Sequence, residues 1–408
     1  MLAPKFSCGV EFAPTDDVWN LTLDQITSGT GEIINRQTVA YSDAGSSSFV
    51  FDEDTLLYSK LRPYLNKVVW PQERGVATTE LVPLKPDRDL ILPGYLLHYL
   101  RSPTFLNYIV GRVAGAKMPR VVMDDFWAHE VPHPRDINEQ ARIVELLDQA
   151  DALRRQRAEA DAKLARLLPA LFRHHFGDPT DSNSAVSTKP LGSLLKSIDS
   201  GDSPRCLDRQ AGPDEWSVLK LGAVTWGRFD DSQNKALPDD MQPDASLEVS
   251  TGDLLFARKN TLELVGATAL VRETRPKLLL PDLIFRLVPR EDAKITKEYL
   301  WCLLSHPSMR NRLRSIASGA AGSMPNISKS RLETIEIPLP PHTTQLVFSR
   351  QVHAALDLET QAAASAAKLE TLFQTLLHRA FTGELTARWR EAHLREGVQQ
   401  EMTRHART

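Results

Sequence analysis

Cysteine is scarce in this chain of 408 residues: Cys8, Cys206 and Cys302 lie far apart and are odd in number. That usage argues against a disulfide framework and favours reduced thiols in a cytoplasmic protein. No apolar run reaches about 18 residues, so no membrane span is expected. The first residues, MLAPKFSCGVEF, lack the basic and apolar regions of a secretory signal. A formal net charge of −3 excludes a chain that is basic throughout, but not a basic surface on one side.

Motifs for catalysis and cofactor binding are also missing. GSLLKS at 192–197 has one glycine where a phosphate-binding loop needs two, and SGTGEI at 28–33 lacks the third glycine of a dinucleotide site. The single Pro-Pro pair, Pro340-Pro341, lies between Leu and His, unlike the Asn/Asp-Pro-Pro-aromatic motif of amino-methyltransferases. The eleven histidines show no metal-ligand spacing. We therefore predict a protein with no catalytic centre and no metal site.

The most informative feature of the chain is an internal repeat. Three pairs of phrases recur in the same order, separated by 198 to 206 residues: DTLLYSKLRP at 54–63 with GDLLFARKNT at 252–261, YLLHYLRSP at 95–103 with YLWCLLSHP at 299–307, and Met118-Pro119 with Met324-Pro325. Chance would not preserve that order over so much of the chain. A whole module is therefore predicted to occur twice.

Each copy of the module has a globular part followed by a helical part. Residues 14–135 and 186–341 are rich in Gly, Pro and short apolar runs, which predicts mixed domains with short, partly buried strands. From about 138 to 176, apolar and small residues return every three or four positions, and the same heptad frame recurs 205 residues later. Such helices are expected to pack on each other or on matching helices of a partner. Pro169 is expected to kink or break the first helix.

Leucine occupies most of these heptad positions, which we predict to form the spacer or contact the partner: Leu153, Leu164, Leu167, Leu171, Leu358, Leu369, Leu372 and Leu376.

The globular parts carry loops rich in cations and amides. In the first copy the candidates are Lys60, Arg62, Tyr64, Asn66, Lys67, Lys117 and Arg120. In the second copy they are Arg258, Lys259, Asn260, Thr261, Ser323, Asn326 and Lys329. Arg and Lys pair with guanine edges or phosphates, and Asn pairs with adenine, so these loops are predicted to bind DNA. The plainer interpretation of any one Lys or Arg is a solvated surface charge.

With these features, the sequence resembles the specificity subunits of type I restriction-modification systems. The phrases that carry the resemblance are GDLLFARKN, GSMPNISKSRLETIEIPLPP with Gln345 after it, LLYSKLRPYLNKVV, and RAFTGELTARW. The resemblance implies an α+β fold with a pseudo-twofold internal duplication, in which two target recognition domains are joined by two long antiparallel coiled-coil helices. The predicted boundaries are recognition domain 1 over 1–135, a central spacer helix over 136–180, recognition domain 2 over 181–341, a C-terminal spacer helix over 342–385, and a tail over 386–408.

The resemblance also implies a function. Each recognition domain would read one half of a split, asymmetric site in double-stranded DNA. Two methyltransferase subunits, which carry S-adenosylmethionine, would dock on this chain, and a motor-nuclease restriction subunit would join them in phage defence. The chain itself would then bind no cofactor.

Two other functions stay open at this point. The first is a non-enzymatic scaffold whose repeated domains bind protein instead of DNA, which predicts no salt-dependent affinity for DNA. The second is a self-sufficient methyltransferase or nuclease, which the missing motifs oppose.

Overall fold

The computed structural model describes residues 8–181, 186–319, 324–393 and 395–396. The chain divides into two compact units: Met1–Glu159 with Ala363–Thr408, and Ala160–Ala362. Each unit contains one globular part, in which strands and helices are mixed, together with portions of the long helical segments. No helix in the described ranges is long and apolar enough to cross a membrane.

The first unit contains short strands arranged in two small sheets and a hairpin. The strands are β1 (Asp17–Leu21), β2 (Thr38–Ala40), β3 (Ser48–Phe51), β4 (Leu56–Ser59), β5 (Val68–Val69), β6 (Gly75–Thr78), β7 (Leu81–Leu84), β8 (Val113–Ala114) and β9 (Arg120–Val121). The sheet orders are β2-β1-β6-β3 and β5-β4-β7, and β8 pairs with β9. Within them β1 and β6 are parallel, whereas β4 and β7 are antiparallel.

Helices cover these sheets and complete the core of the first unit. They are α1 (Pro93–Arg101), α2 (Pro103–Val110), α3 (Met123–Ala128) and α4 (Ile137–Leu164). Proline starts α1 and α2, where its missing N–H would be unpaired in any case. Tyr95, Tyr99 and Phe105 are fully buried among the strands and the apolar face of α4.

The second unit begins with the end of α4 and continues through α5 (Leu167–Phe176). Its strands are β10 (Thr188–Pro190), β11 (Leu195–Ser200), β12 (Ser217–Leu219), β13 (Asn234–Ala236), β14 (Leu254–Ala257), β15 (Thr268–Leu270), β16 (Leu278–Leu279), β17 (Ile284–Pro289) and β18 (Glu336–Pro338). Its further helices are α6 (Leu191–Leu194), α7 (Gly222–Thr225), α8 (Lys297–Ser305), α9 (Pro307–Ile316) and α10 (Lys329–Glu333). It also contains α11 (His342–Phe381) as far as Ala362, and the rest of α11 belongs to the first unit. Pro307 begins α9, and His306 separates it from α8.

The strand pairings of the second unit follow those of the first. The sheets have the orders β13-β12-β16 and β11-β17-β14-β15, with a separate pair β10-β18. The parallel pair β12-β16 has an antiparallel neighbour in β13, as β1-β6 has in β2. The antiparallel pair β14-β17 occupies the place of β4-β7.

Proline and glycine lie where the long helices are interrupted or end, and the break near Pro169 agrees with the prediction from the sequence. The first long helix is interrupted between Leu164 and Leu167, and Pro169 is the third residue of α5. Pro169 has no N–H to donate to the carbonyl four residues earlier, so an unbroken helix would lose that bond. Gly177 follows α5 with a φ of +69°, and Gly383, with a φ of +79°, lies just beyond α11. A positive φ suits glycine and stops a helix.

In each unit, portions of the two long helical segments contact each other, and in the first unit they run in opposite directions. In the first unit Arg154 of α4 bonds Glu370 at 2.7 Å, and Glu139, earlier in α4, bonds Thr386 beyond α11 at 2.5 Å. In the second unit Phe172 of α5 contacts Phe348, with ring centroids 5.9 Å apart. The ring of His175, three residues further on, bonds Gln351.

The buried stripe of these helices differs from the predicted heptad positions. Leu153, Leu358 and Leu372 are about half exposed, and the other five predicted leucines are only partly buried. Three alanines of the same heptad frame, Ala150, Ala355 and Ala362, are buried. The other buried apolar positions are Ile143, Leu147, Phe172, Phe348, Val352, Leu356, Phe373, Leu377 and Ala380. Several of these lie one residue after a predicted position, and one residue turns a helix face by about 100°. The three half-exposed leucines therefore lie outside the buried stripe, and contact with a partner stays a prediction.

A polar residue takes an inward position in the second half of α4. After Ala150 the inward position is taken by Arg154, whose guanidinium lies 4.2 Å from the centre of the Phe373 ring. The same side chain bonds Asp151 at 3.0 Å and Glu370 at 2.7 Å. Because Arg154 fills this space, Leu153 is turned outward.

Candidate nucleic-acid interface

In the first unit, two loops that the sequence singles out lie next to each other. The chain after β4 pairs with the Met118-Pro119 loop through a bridge between Leu61 and Arg120. The Arg62 N–H donates to the Pro119 carbonyl at 2.8 Å, and the Val121 N–H donates to the Lys60 carbonyl at 2.8 Å. These backbone bonds bring Lys60, Arg62, Lys117 and Arg120 onto one pair of loops, which we call loop pair 1 (residues 60–67 and 115–120).

The second unit repeats this arrangement with the equivalent residues. A bridge joins Lys259 to Asn326. The Asn260 N–H donates to the Pro325 carbonyl at 3.3 Å, and the Ile327 N–H donates to the Arg258 carbonyl at 2.8 Å. We call this loop pair 2 (residues 258–261 and 324–329). Ser323, predicted to belong to it, lies outside the described residues.

In loop pair 1, Arg62 lies at the start of a turn whose flanking residues have a left-handed backbone conformation. Arg62 has a φ of +50° and Asn66 a φ of +48°, on either side of a short 3₁₀ turn that starts with Pro63. An L-residue such as Arg tolerates this region poorly, at a cost of about 1 kcal/mol or more, whereas Asn adopts it more readily. The turn leaves the Arg62 and Tyr64 side chains exposed.

The other two candidates on this turn are engaged inside the protein. The Asn66 amide donates to the Arg101 carbonyl at the end of α1, at 2.9 Å. The Lys67 ammonium donates to the Leu23 carbonyl at 2.6 Å. Both side chains therefore hold the turn in place, and a nucleic acid would have to compete with these bonds for them.

The Met-Pro loop of the first unit forms an exposed hairpin between β8 and β9. Lys117 and Met118 are exposed at its tip. Arg120 forms a forked contact with Glu80, with Nη2 to Oε1 at 3.0 Å. That bond holds the pKa of the Glu80 carboxyl below its ordinary value. Arg120 is thus partly neutralised, whereas Lys117 extends into solvent.

Loop pair 2 gathers its polar groups around an aromatic ring. The Arg258 Nε donates to the Asn326 side-chain oxygen at 3.0 Å. The Arg258 guanidinium and the Lys329 ammonium lie 5.1 Å and 5.6 Å from the centre of the Phe285 ring. Cation–π contact of this kind orients a charge without neutralising it. Met324 is exposed beside this cluster, as Met118 is in the first unit.

Asn260 has a structural role in this conformation. It is 6% exposed, its Nδ2 donates to the Thr225 hydroxyl at 3.4 Å, and its Oδ1 accepts the Thr261 N–H at 2.8 Å. Its prediction as a base-contacting residue would require this loop to rearrange. Thr261 is exposed, and Lys259 is half-buried.

Several cations near the loops are absent from the sequence-based prediction. Arg112, which precedes β8, is exposed and stacks on the Tyr108 ring at 3.8 Å. In α9, Arg310 and Arg314 both donate to the Glu263 carbonyl, at 3.0 Å and 2.8 Å. Burial, with the neighbouring charge of Arg314, lowers the pKa of Arg310 to about 10. The alternating arginines of α9 are a visible signal, but their proximity to loop pair 2 depends on the fold.

Together, the two loop pairs present the groups that bind nucleic acids. Lysine and arginine neutralise phosphates, and exposed apolar or aromatic side chains can contact bases. The structure brings most predicted residues onto these loops, but it holds Asn66, Lys67 and Asn260 in internal bonds. Contact between DNA and the residues of the two loop pairs stays a prediction.

Comparison with known proteins points to one family. No family model matches the chain. The type I restriction enzyme EcoKI specificity subunit of Escherichia coli K12 is 27% identical over 325 residues, which cover 75% of this chain and 68% of that protein. The StySPI specificity subunit of Salmonella potsdam is 25% identical, with the same coverage. The EcoEI specificity subunit of Escherichia coli is 32% identical over 192 residues, 47% of this chain and 32% of that protein.

Solved structures agree on the fold. The type I restriction-modification S subunit from M. genitalium is similar at a TM-score of 0.56 and 13% identity, over 90% of each chain. A chain from a structure of type I R-M complex assembly has a TM-score of 0.56 and 20% identity, over 91% of this chain and 93% of that one. The chain is therefore a homologue of the specificity subunits of type I restriction enzymes, as the resemblance of its repeated phrases predicts.

Proposed function

We propose that this chain is the DNA-specificity subunit of a type I restriction-modification complex. It recognises a bipartite, asymmetric site in double-stranded DNA and directs methyltransferase and restriction subunits to that site. The observation that carries this proposal is the similarity to specificity subunits along 75% of the chain. The matched loop pairs support it, because each unit offers cations and exposed side chains at the same place in its fold.

The architecture in this proposal is a duplicated module with a spacer. Two target recognition domains, over 1–135 and 181–341, are joined by antiparallel coiled-coil helices over 136–180 and 342–385. The equivalent strand pairings of the two units support the duplication. The opposed helix directions in the first unit support the antiparallel spacer.

The helices also offer a surface to partners. Leu153 on α4 and Leu358 and Leu372 on α11 are about half exposed, so these apolar side chains are available to a partner. We propose that two methyltransferase subunits dock there and that a restriction subunit joins them, in the cytoplasm. On this proposal S-adenosylmethionine binds the methyltransferase subunits, and this chain contributes recognition without catalysis.

A genome-wide map of methylated adenines tests the proposal. Cells carrying this chain with its neighbouring methyltransferase are compared with cells lacking this chain. We expect a split, asymmetric methylated motif that disappears with the chain. An unchanged map, obtained with an active methyltransferase, would contradict the proposal and favour a scaffold that binds protein.

A further inference from the structure

One glutamine is fully buried near the start of each long helical segment. In the first unit, Gln140 on α4 is 0% exposed and makes three hydrogen bonds with its side chain. Its Oε1 accepts the Leu92 N–H at 2.9 Å. Its Nε2 donates to the Leu90 carbonyl at 2.9 Å and to the Pro134 carbonyl at 2.8 Å.

The second unit repeats all three bonds. Gln345 on α11 is also 0% exposed. Its Oε1 accepts the Thr296 N–H at 2.9 Å. Its Nε2 donates to the Lys294 carbonyl at 3.2 Å and to the Pro340 carbonyl at 2.8 Å.

The partners of each glutamine belong to separate parts of the unit. Leu92 and Thr296 directly precede α1 and α8, which pack on the sheets of the globular parts. Pro134 and Pro340 lie in the segment that leads from the globular part into the long helix. One amide therefore ties the globular part, the connecting segment and the helix together.

A tyrosine fastens the same connecting segment in both units. The Tyr95 hydroxyl donates to the Pro132 carbonyl at 2.9 Å, and the Tyr299 hydroxyl donates to the Pro338 carbonyl at 2.8 Å. With the glutamine, each unit thus holds this segment at two points, two residues apart. This leaves little freedom for the helix to pivot on its globular part.

The geometry of a long helix makes such a pivot important. A helix of 40 residues, the length of α11, extends for about 60 Å at about 1.5 Å per residue. A tilt of roughly 3° at one end moves the other end by roughly 3 Å, which is close to the rise of one base pair. A buried apolar side chain would fill the same space, but it would not define an angle, because dispersion contacts have no direction.

We propose that Gln140 and Gln345 are positioning residues that hold each globular part at a fixed angle to its long helix and thereby set the number of base pairs between the two half-sites. The inference rests on the proposed function. It adds a determinant of specificity that does not contact DNA. The loops would contact the bases, and the buried amides of Gln140 and Gln345 would fix the number of base pairs between the half-sites.

The test uses Gln140→Met and Gln345→Met in the full chain, each expressed with the methyltransferase subunits. Methionine keeps the length of the side chain and removes all three hydrogen bonds. The readout is the genome-wide methylation map, sorted by the number of base pairs between the same two half-sites. We expect methylation at spacings one base pair longer or shorter to rise at least tenfold relative to the wild-type spacing, with unchanged half-site sequences.

Control variants separate positioning from stability. Gln149→Met and Gln361→Met change exposed glutamines on the same helices and should leave the spacing unchanged. If a methionine variant fails to fold, Gln140→Ala and Gln345→Ala replace it, since water can enter the vacated polar space and hydrogen-bond the backbone groups without fixing an angle. A folded, active variant that methylates only the wild-type spacing would overturn the inference. Absence of any split motif in the wild type would instead overturn the proposed function.

Discussion

At the scale of single residues, the cations of the two loop pairs differ in whether their side chains already have partners within the protein. Arg62 and Lys117 are exposed. Arg120 is held by Glu80, and Arg258 by Asn326 and the Phe285 ring. Free cations bind phosphates without first losing an internal contact, whereas engaged ones must exchange one partner for another. The loops are therefore expected to contribute unequally to DNA affinity.

Replacing Lys60, Arg62, Arg258 and Lys259 together by Ala should weaken DNA binding by roughly tenfold or more, because four cations no longer displace counterions. The slope of log affinity against log salt should fall by about three to four. Both quantities are measured by titrating DNA with the complex at several salt concentrations.

A matched control replaces Arg74, Arg88, Lys235 and Arg290 by Ala. It removes the same charge from surface ion pairs outside the loops. Equal losses of affinity in both variants would remove the loops from the DNA site.

Among the secondary-structure elements, the turn after α11 is tied to the first turn of α4. Glu139 is buried and accepts from the Thr386 hydroxyl and from Arg390. Arg390 also donates to the Gly383 carbonyl at 2.6 Å. A buried carboxylate needs hydrogen-bond donors around it. Thr386 and Arg390 supply these donors, so the segment after α11 packs against the start of α4.

Arg390→Ala should lower the free energy of unfolding of the first unit by about 2 kcal/mol, since it leaves the Glu139 carboxylate with one donor fewer. Denaturant unfolding of the full chain measures the loss. Arg388→Ala, an exposed residue of the same segment, serves as the control. Equal stability of the two variants would contradict a structural role for the Glu139–Arg390 pair.

Leu358 and Leu372, the half-exposed leucines of α11, lie near the same face of the helix. They are 14 residues apart, and at about 100° per residue their directions differ by about 40° around the helix axis. Leu358→Asp with Leu372→Asp should weaken assembly with the methyltransferase subunits at least tenfold. The free energy of unfolding should change little, because neither side chain is in the core. Analytical ultracentrifugation of the mixed subunits measures assembly.

The control for this pair is Ala367→Asp, which places a charge about 180° around the helix from Leu358. Intact assembly in the leucine variant would exclude this face as the docking surface.

For the molecule as a whole, each unit has equivalent backbone hydrogen bonds within its own loop pair, but the loop side chains differ between the units. Lys60, Arg62 and Lys117 stand where the second unit has Arg258, Asn260 and Ser323. Under the proposed function, a common framework then presents two different reading surfaces, which predicts an asymmetric target.

Exchanging residues 1–135 for the corresponding part of a related specificity subunit should change one half of the methylated motif and leave the other half as it was. The reason is that each loop pair is built from bonds within its own unit. Sequencing of methylated adenines checks this, and the reciprocal exchange of residues 181–341 should alter only the other half. A chimera that alters both halves at once would contradict independent reading.

Much of this architecture follows from local sequence patterns. The repeated phrases predict two modules, Pro307 begins α9, and Pro169 accompanies a break in the first long helix. These features depend on dihedral preferences and on contacts within a few residues, which any stretch of sequence carries with it. The adjacency of the turn after β4 to the Met-Pro loop also agrees with their joint recurrence in both copies.

Other features depend on residues brought together from distant parts of the chain. Phe172, Phe373 and Leu377 are buried one position after predicted leucines. Arg154 takes an inward position through contacts with Glu370 and Phe373, more than 200 residues away. The bonds of Gln140 and Gln345 to the globular parts, and the bond of Asn260 to Thr225, also join residues at least 35 positions apart. The order of the helices and strands thus follows from local sequence patterns. Which face each helix buries, and which polar groups stay free to bind, were decided by tertiary contacts, because burial and hydrogen bonding depend on neighbours that only the folded chain supplies.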